Sequence, residues 1–117
     1  MSNAKIETIR SSSSGVAGRA HNLVRGQRLV LDSSSRPQPD ALTNSEAFLA
    51  GISSCGVTLM ETYAQERGIP VKRMDVTIEG VRTAEEPARF SSITMAFEIV
   101  GVSQPAAEAL VETYRSR

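Results

Sequence analysis

Thr43-Asn44-Ser45-Glu46-Ala47-Phe48-Leu49-Ala50-Gly51-Ile52-Ser53-Ser54-Cys55 is the stretch whose reading decides the fold. Thr43 and Glu46 have the spacing of a capping box, in which the hydroxyl accepts one backbone N–H and the carboxylate reaches back to another. A helix is therefore expected from this point through Val57, Leu59, Met60 and Tyr63. Its first half is apolar or small on nearly every face, which predicts burial on most sides. Gly51, Ser53, Ser54 and Gly56 lack bulk and would let another backbone come close. Polar residues return at Glu61, Gln65, Glu66 and Arg67; Gly68 suits the C-terminal cap and Pro70 blocks extension.

Beyond the helix come two alternating segments. Met74, Val76 and Ile78 share one face, and Asp75, Thr77 and Glu79 the other; Ile93, Met95, Phe97 and Ile99 repeat the pattern. Thr83 to Arg89, containing Glu85-Glu86-Pro87, reads as an exposed connection between antiparallel neighbours. A second helix is expected from a Ser103 cap, with Ala107, Leu110, Val111 and Tyr114 as its apolar stripe. Before the first helix the chain is polar and broken. Lys5 to Arg10 is expected as a strand and Ser11 to Gly15 as a turn or loop. Gly18 to Gly26 and Gln27 to Asp32 are two short strands around Arg25-Gly26-Gln27, and Ser33 to Pro39 is a loop. The order is β-β-β-α-β-β-α, an α+β domain with a mainly antiparallel sheet and a buried central helix.

The 117 residues suffice for one domain, taken as 1–117. Basic and acidic side chains number 13 each, and Trp is absent, so neither an electrostatic nor a stacking case exists for nucleic acid or an anionic membrane. No apolar run is long enough to span a bilayer. The single cysteine, Cys55, excludes an internal disulfide and cysteine-rich zinc sites, and a free thiol suits a cytoplasmic, reducing compartment. His21 is the only histidine and has no partner at ligand spacing, so it reads as a strand residue and no metal is expected. Ser53 and Ser54 lack a Gly-x-Ser-x-Gly elbow, and helix packing accounts for them better.

Ser45 to Cys55, followed by Gly68-Ile69-Pro70-Val71 and an alternating strand, resembles the OsmC/Ohr family of osmotically inducible and organic hydroperoxide resistance proteins. Gly18-Arg19, Leu29-Val30-Leu31-Asp32 and the Pro-containing loop before the helix fit as well. The resemblance covers most of the chain and implies an intertwined homodimer with sites at the subunit interface. It further implies a thiol peroxidase without metal or organic cofactor, acting on an organic hydroperoxide and recycled by a dithiol. Cys55 falls on the attacking cysteine, and the register places a second, resolving cysteine immediately beyond Arg117, so that either the family's C-terminal segment is lacking here, as is expected, or the protein has no resolving thiol. The family's Glu, aligned from Cys55, falls on Ser45, with Glu46 as its neighbour; one residue turns a helical side chain by about 100°. Glu46 thus has two readings, catalytic carboxylate or cap. A reactive thiolate needs a cation, because Cys55 lies too deep in the helix for the dipole alone. The resemblance names Arg19 first and Arg25 second. Phe48, Ile52, Leu59 and Met60 read as core or dimer interface, part of it able to line an apolar pocket. Two other readings stay open: a non-catalytic domain of the same fold binding a small apolar ligand or partner, and a plain dimeric scaffold with an inert cysteine.

Overall fold

A computed structural model describes residues 4–116. The elements run β1 (Arg10–Ser13), β2 (Arg19–Val24), β3 (Gln27–Asp32), β4 (Leu42–Thr43), α1 (Asn44–Glu66), β5 (Arg73–Val81), β6 (Ser92–Val100) and α2 (Gln104–Arg115). They form two compact units, Met1–Phe48 and Leu49–Arg117. The expected α+β succession is present, with β4 as an addition.

In the first unit the sheet order is β1-β2-β3-β4. The β2–β3 hairpin closes through Arg25 (φ 51°) and Gly26 (φ 77°), both left-handed, between the paired Val24 and Gln27. Two left-handed residues form the turn whose twist matches that of the strands. β4 pairs with β3 in parallel, Leu31 opposite Leu42 and Asp32 opposite Thr43. The N-terminal expectation needs correction. Of Lys5 to Arg10 only Arg10 is strand, whereas Ser11 to Ser13, expected as turn or loop, pair with Asn22, His21 and Ala20. Ser11 donates from Oγ to Asn22 Oδ1 at 2.6 Å, and Asn22 Nδ2 donates onward to the Leu29 carbonyl at 3.0 Å. Cross-strand partners thus override a run whose local preference is for turns.

α1 begins where the capping box places it. Glu46 Oε1 accepts from the Thr43 N–H at 2.8 Å, and Thr43 Oγ1 accepts from the Glu46 N–H at 3.2 Å. It ends in a full Schellman motif: Gly68 is left-handed at φ 67°, the Ile69 N–H reaches the Ala64 carbonyl at 2.8 Å, and the Gly68 N–H reaches Gln65 at 3.3 Å.

In the second unit β5 and β6 form an antiparallel pair, from Arg73 opposite Val100 to Val81 opposite Ser92. Their inner face and the inner faces of α1 and α2 enclose a core of Met60, Ala64, Met74 and Leu110, bordered by Val57, Val76, Phe97, Ile99 and Tyr114. Ser103 caps α2, its Oγ accepting from the Ala106 N–H at 3.3 Å. Tyr114 fixes α2 to α1 by donating to the Ile52 carbonyl at 3.0 Å. Its ring occupies the space left by Gly56, where an added Cβ would stand 3.2 Å from it. Gly56 is therefore small to admit a side chain, not a backbone, and Gly51 has nothing within 4 Å of where its Cβ would be.

The chain covers only one face of α1. Gly56, Met60 and Ala64 are buried, while Gly51, Ser54 and Cys55 are exposed and Phe48 is 56% exposed. The burial on most sides expected from the apolar surround is therefore not observed: in the second unit the core packs against the Gly56, Met60 and Ala64 side of α1.

Candidate functional site

Cys55 is a free, exposed thiol on α1. It lies one residue before Gly56, so the helical turn that sends Gly56 into the core sends Cys55 outward. The thiol opens on a groove of about 360 Å³ along the helix, lined by Thr58, Leu59, Thr62, Tyr63 and Glu66. Leu59 and the Tyr63 ring give it apolar surface, and the Arg67 guanidinium stacks 4.6 Å from the Tyr63 ring centre. Thr58 Oγ1 donates to the carbonyls of Ser54 and Cys55 at 3.1 and 3.3 Å. The lining contains one acid and no base.

Arg19 lies in the first unit, at the start of β2, and its side chain is only 20% exposed. Two carboxylates engage it on both edges of the guanidinium. Nε and Nη2 donate to Asp32 at 2.7 and 3.0 Å, and Nη1 and Nη2 donate to Asp40 at 3.1 and 2.7 Å. Charge-assisted forks of this kind are strong and directional. Hydrogen bonding to Arg19 holds both carboxylates below their usual range against the opposing cost of desolvation, and raises the Arg19 pKa further still. Asp32 is buried at 1% exposure, and Asp40 is open at 69%. A cavity of about 400 Å³ surrounds the cluster, bordered by Gly18, Arg36 and Gln38. Gly18 sits at φ 88°, with the Arg36 stem 3.1 Å from where its Cβ would stand.

Of the residues singled out in the sequence, the structure joins Arg19 to two acids and Glu46 to the Thr43 cap. Arg25 occupies the left-handed tip of the β2–β3 hairpin. His21 is an exposed strand residue between Ser12 and Val30. Among the described residues no three His, Cys, Asp or Glu side chains gather as metal ligands. Among the described residues no helix is long and apolar enough to cross a membrane. The residues missed were Asp32 and Asp40. The first had a signal: a two-residue turn at Arg25-Gly26 sets Arg19 opposite Asp32 by counting back along both strands.

The OsmC-like protein family model matches residues 37–117, a span that includes α1 with its cap, its cysteine and its terminating Gly68. The chain belongs to the OsmC-like family. Solved structures agree on the fold of this OsmC-like chain. An OsmC-like protein from Mycoplasma pneumoniae superposes with a TM-score of 0.81 at 16% identity, over 97% of this chain and 82% of that one. An organic hydroperoxide resistance protein from Legionella pneumophila gives 0.74 at 20% identity, over 98% and 85%. The organic hydroperoxide resistance protein OhrB of Bacillus subtilis gives 0.63 at 15% identity, over 96% and 84%. No curated protein matches the sequence.

Proposed function

We propose that this OsmC-like protein, with residues 1–117 working as one domain, reduces organic hydroperoxides at Cys55. The observation that carries the reading is the exposure of the only thiol, on the family's helix and beside a partly apolar groove. Two of the structural relatives above are organic hydroperoxide resistance proteins, which gives the reading its substrate class.

The step is a two-electron displacement. The Cys55 thiolate attacks the oxygen of the peroxide remote from carbon and the O–O bond breaks. The alkoxide leaves and takes up a proton as the alcohol, and Cys55 becomes a sulfenic acid. An external dithiol closes the cycle. Its first thiol condenses with the sulfenic acid to a mixed disulfide and water, and its second displaces Cys55 as the thiol. No metal or organic cofactor enters. The reading includes action as a homodimer in a reducing cytoplasm, Arg19 as the cation that favours the thiolate, and Glu46 as the accompanying carboxylate.

A second reading has its own support: both proposed assistants are already engaged, Arg19 by Asp32 and Asp40 and Glu46 by Thr43. It takes the protein as a non-catalytic OsmC-like domain that binds a small apolar ligand or a partner. One assay separates the two. Thiol-dependent consumption of an organic hydroperoxide is measured for the protein and for Cys55→Ser. Turnover by the protein that the variant lacks supports the peroxidase; equal rates, or none in either, favour the binding domain.

A further inference from the structure

Strand alternation sorts the first unit's sheet by charge. Side chains directly opposite one another in a sheet share a face, as do residues two apart along a strand. The register therefore places Arg10, Leu23 and Arg28 in one cross-strand row, Ser12, His21 and Val30 in the next, and Arg19 with Asp32 in the third, all on one face. The other face carries Ser11, Ser13, Ala20, Asn22, Val24, Gln27, Leu29 and Leu31, with no charged group.

On the charged face the two ends differ. At one end Arg19 is fully neutralised by Asp32 and Asp40. At the other Arg10 on β1 and Arg28 on β3 flank Leu23 on β2, their Cα atoms about 10 Å apart from two strand spacings. Among the described residues no ion pair or side-chain hydrogen bond engages Arg10, Arg28 or His21. These three side chains, with Ser12, Asn22 and Leu23, line a single cavity of about 230 Å³. Two like charges two strand spacings apart repel, though less than a directly opposite pair, and an anion between them would relieve that repulsion. On β1, β2 and β3 the only acid is Asp32, and it is committed to Arg19.

We infer that the Arg10–His21–Arg28 end of this sheet is a binding site for a phosphate monoester group. Two guanidinium forks match the tetrahedral oxyanion, each able to donate two parallel hydrogen bonds, and the Ser12 hydroxyl and a histidine N–H supply further donors. The cavity is smaller than the roughly 300–1,000 Å³ of pockets that enclose a whole organic ligand, so it takes the charged group and leaves the rest outside. Leu23, 47% exposed on that face, offers apolar surface to what is attached. The site is independent of Cys55 and of the peroxidase reading.

The test is binding by the full chain at constant ionic strength, with inorganic phosphate in one arm and phosphatidic acid in phosphatidylcholine vesicles in the other. Calorimetry reads the first and co-sedimentation the second. Saturable binding in either arm, weakened about tenfold or more in the Arg10→Gln, Arg28→Gln double variant, supports the site, and the arm that binds names the source of the phosphate. Arg36→Gln removes one positive charge from the same unit outside this cavity and leaves that binding unchanged. No binding in either arm, binding that survives the double variant, or an equal loss in Arg36→Gln overturns the inference. Circular dichroism checks that each variant keeps its fold.

Discussion

The helix that carries Cys55 and the corner that holds Arg19 are built on opposite plans. In the second unit Cys55 stands exposed on α1, in a groove without a base, while the same helix one residue later is locked into the core through Gly56 and Tyr114. In the first unit Arg19 has every polar atom committed, to one buried and one open carboxylate. The difference teaches where each residue's constraint comes from. Cys55 is positioned by backbone and packing, and its groove is lined by one acid and no base. Arg19 is positioned by charge, and its two partners compete with any other anion that approaches it.

Substitution at Cys55 is the severest test of this contrast. Cys55→Ser is expected to lower thiol-dependent hydroperoxide turnover by about a hundredfold or more, because the hydroxyl is a far weaker nucleophile. The thermal midpoint should hardly move, since the side chain is exposed. A midpoint drop as large as that of a core variant would show that the thiol is structural. The core variant for comparison is Leu110→Ala, fully buried against α1 and the β5–β6 pair. Urea unfolding should show a loss of about 2–5 kcal/mol from lost burial and the cavity left behind.

The cap at the head of α1 comes next in size. Thr43→Ala removes the acceptor for the Glu46 N–H and should cost about 1 kcal/mol in the same unfolding measurement. Glu46→Gln keeps the capping box and should leave stability nearly unchanged. If its hydroperoxide turnover nevertheless falls well below the unmodified protein's, Glu46 is more than a cap.

The Arg19 corner responds to pH. Folded-state pKa values of Asp32 and Asp40 are lowered by Arg19, so their stabilisation is fully present above the ordinary carboxylate value of about 3.9 and is lost as pH falls through the lowered values. Asp32→Asn should therefore be less stable than the unmodified protein at neutral pH, and the gap should close in acid. A gap that is constant from neutral to acid pH would mean that the pairing contributes nothing.

Much of this was legible in sequence because the decisive signals are local. The Thr43–Glu46 spacing, Gly68 before Pro70, and the alternation of Met74, Val76 and Ile78 each act within a few residues, and each element lies where those signals put it. Ser11 to Ser13 misled because nothing in a serine run announces a strand; its partners on β2 are supplied only by the folded hairpin. Cys55 stood out as the only thiol, but its exposure was hidden, since an apolar surround reads the same whether the chain itself or something else covers it. Arg19 was legible as a residue and illegible as an ion pair. Asp32 follows from hairpin counting, whereas Asp40 arrives from the irregular loop after β3, where no register applies.

The Tyr114 hydroxyl on the Ile52 carbonyl has a dynamic consequence. It ties α2 to the turn of α1 that ends at Gly56, so the amides of that turn will exchange with deuterium only when the two helices part. The slowest-exchanging protons of the second unit are then expected within one turn of its most solvent-accessible sulfur. A helix whose inner half opens only on unfolding holds its outer half in one position for any molecule that meets the thiol.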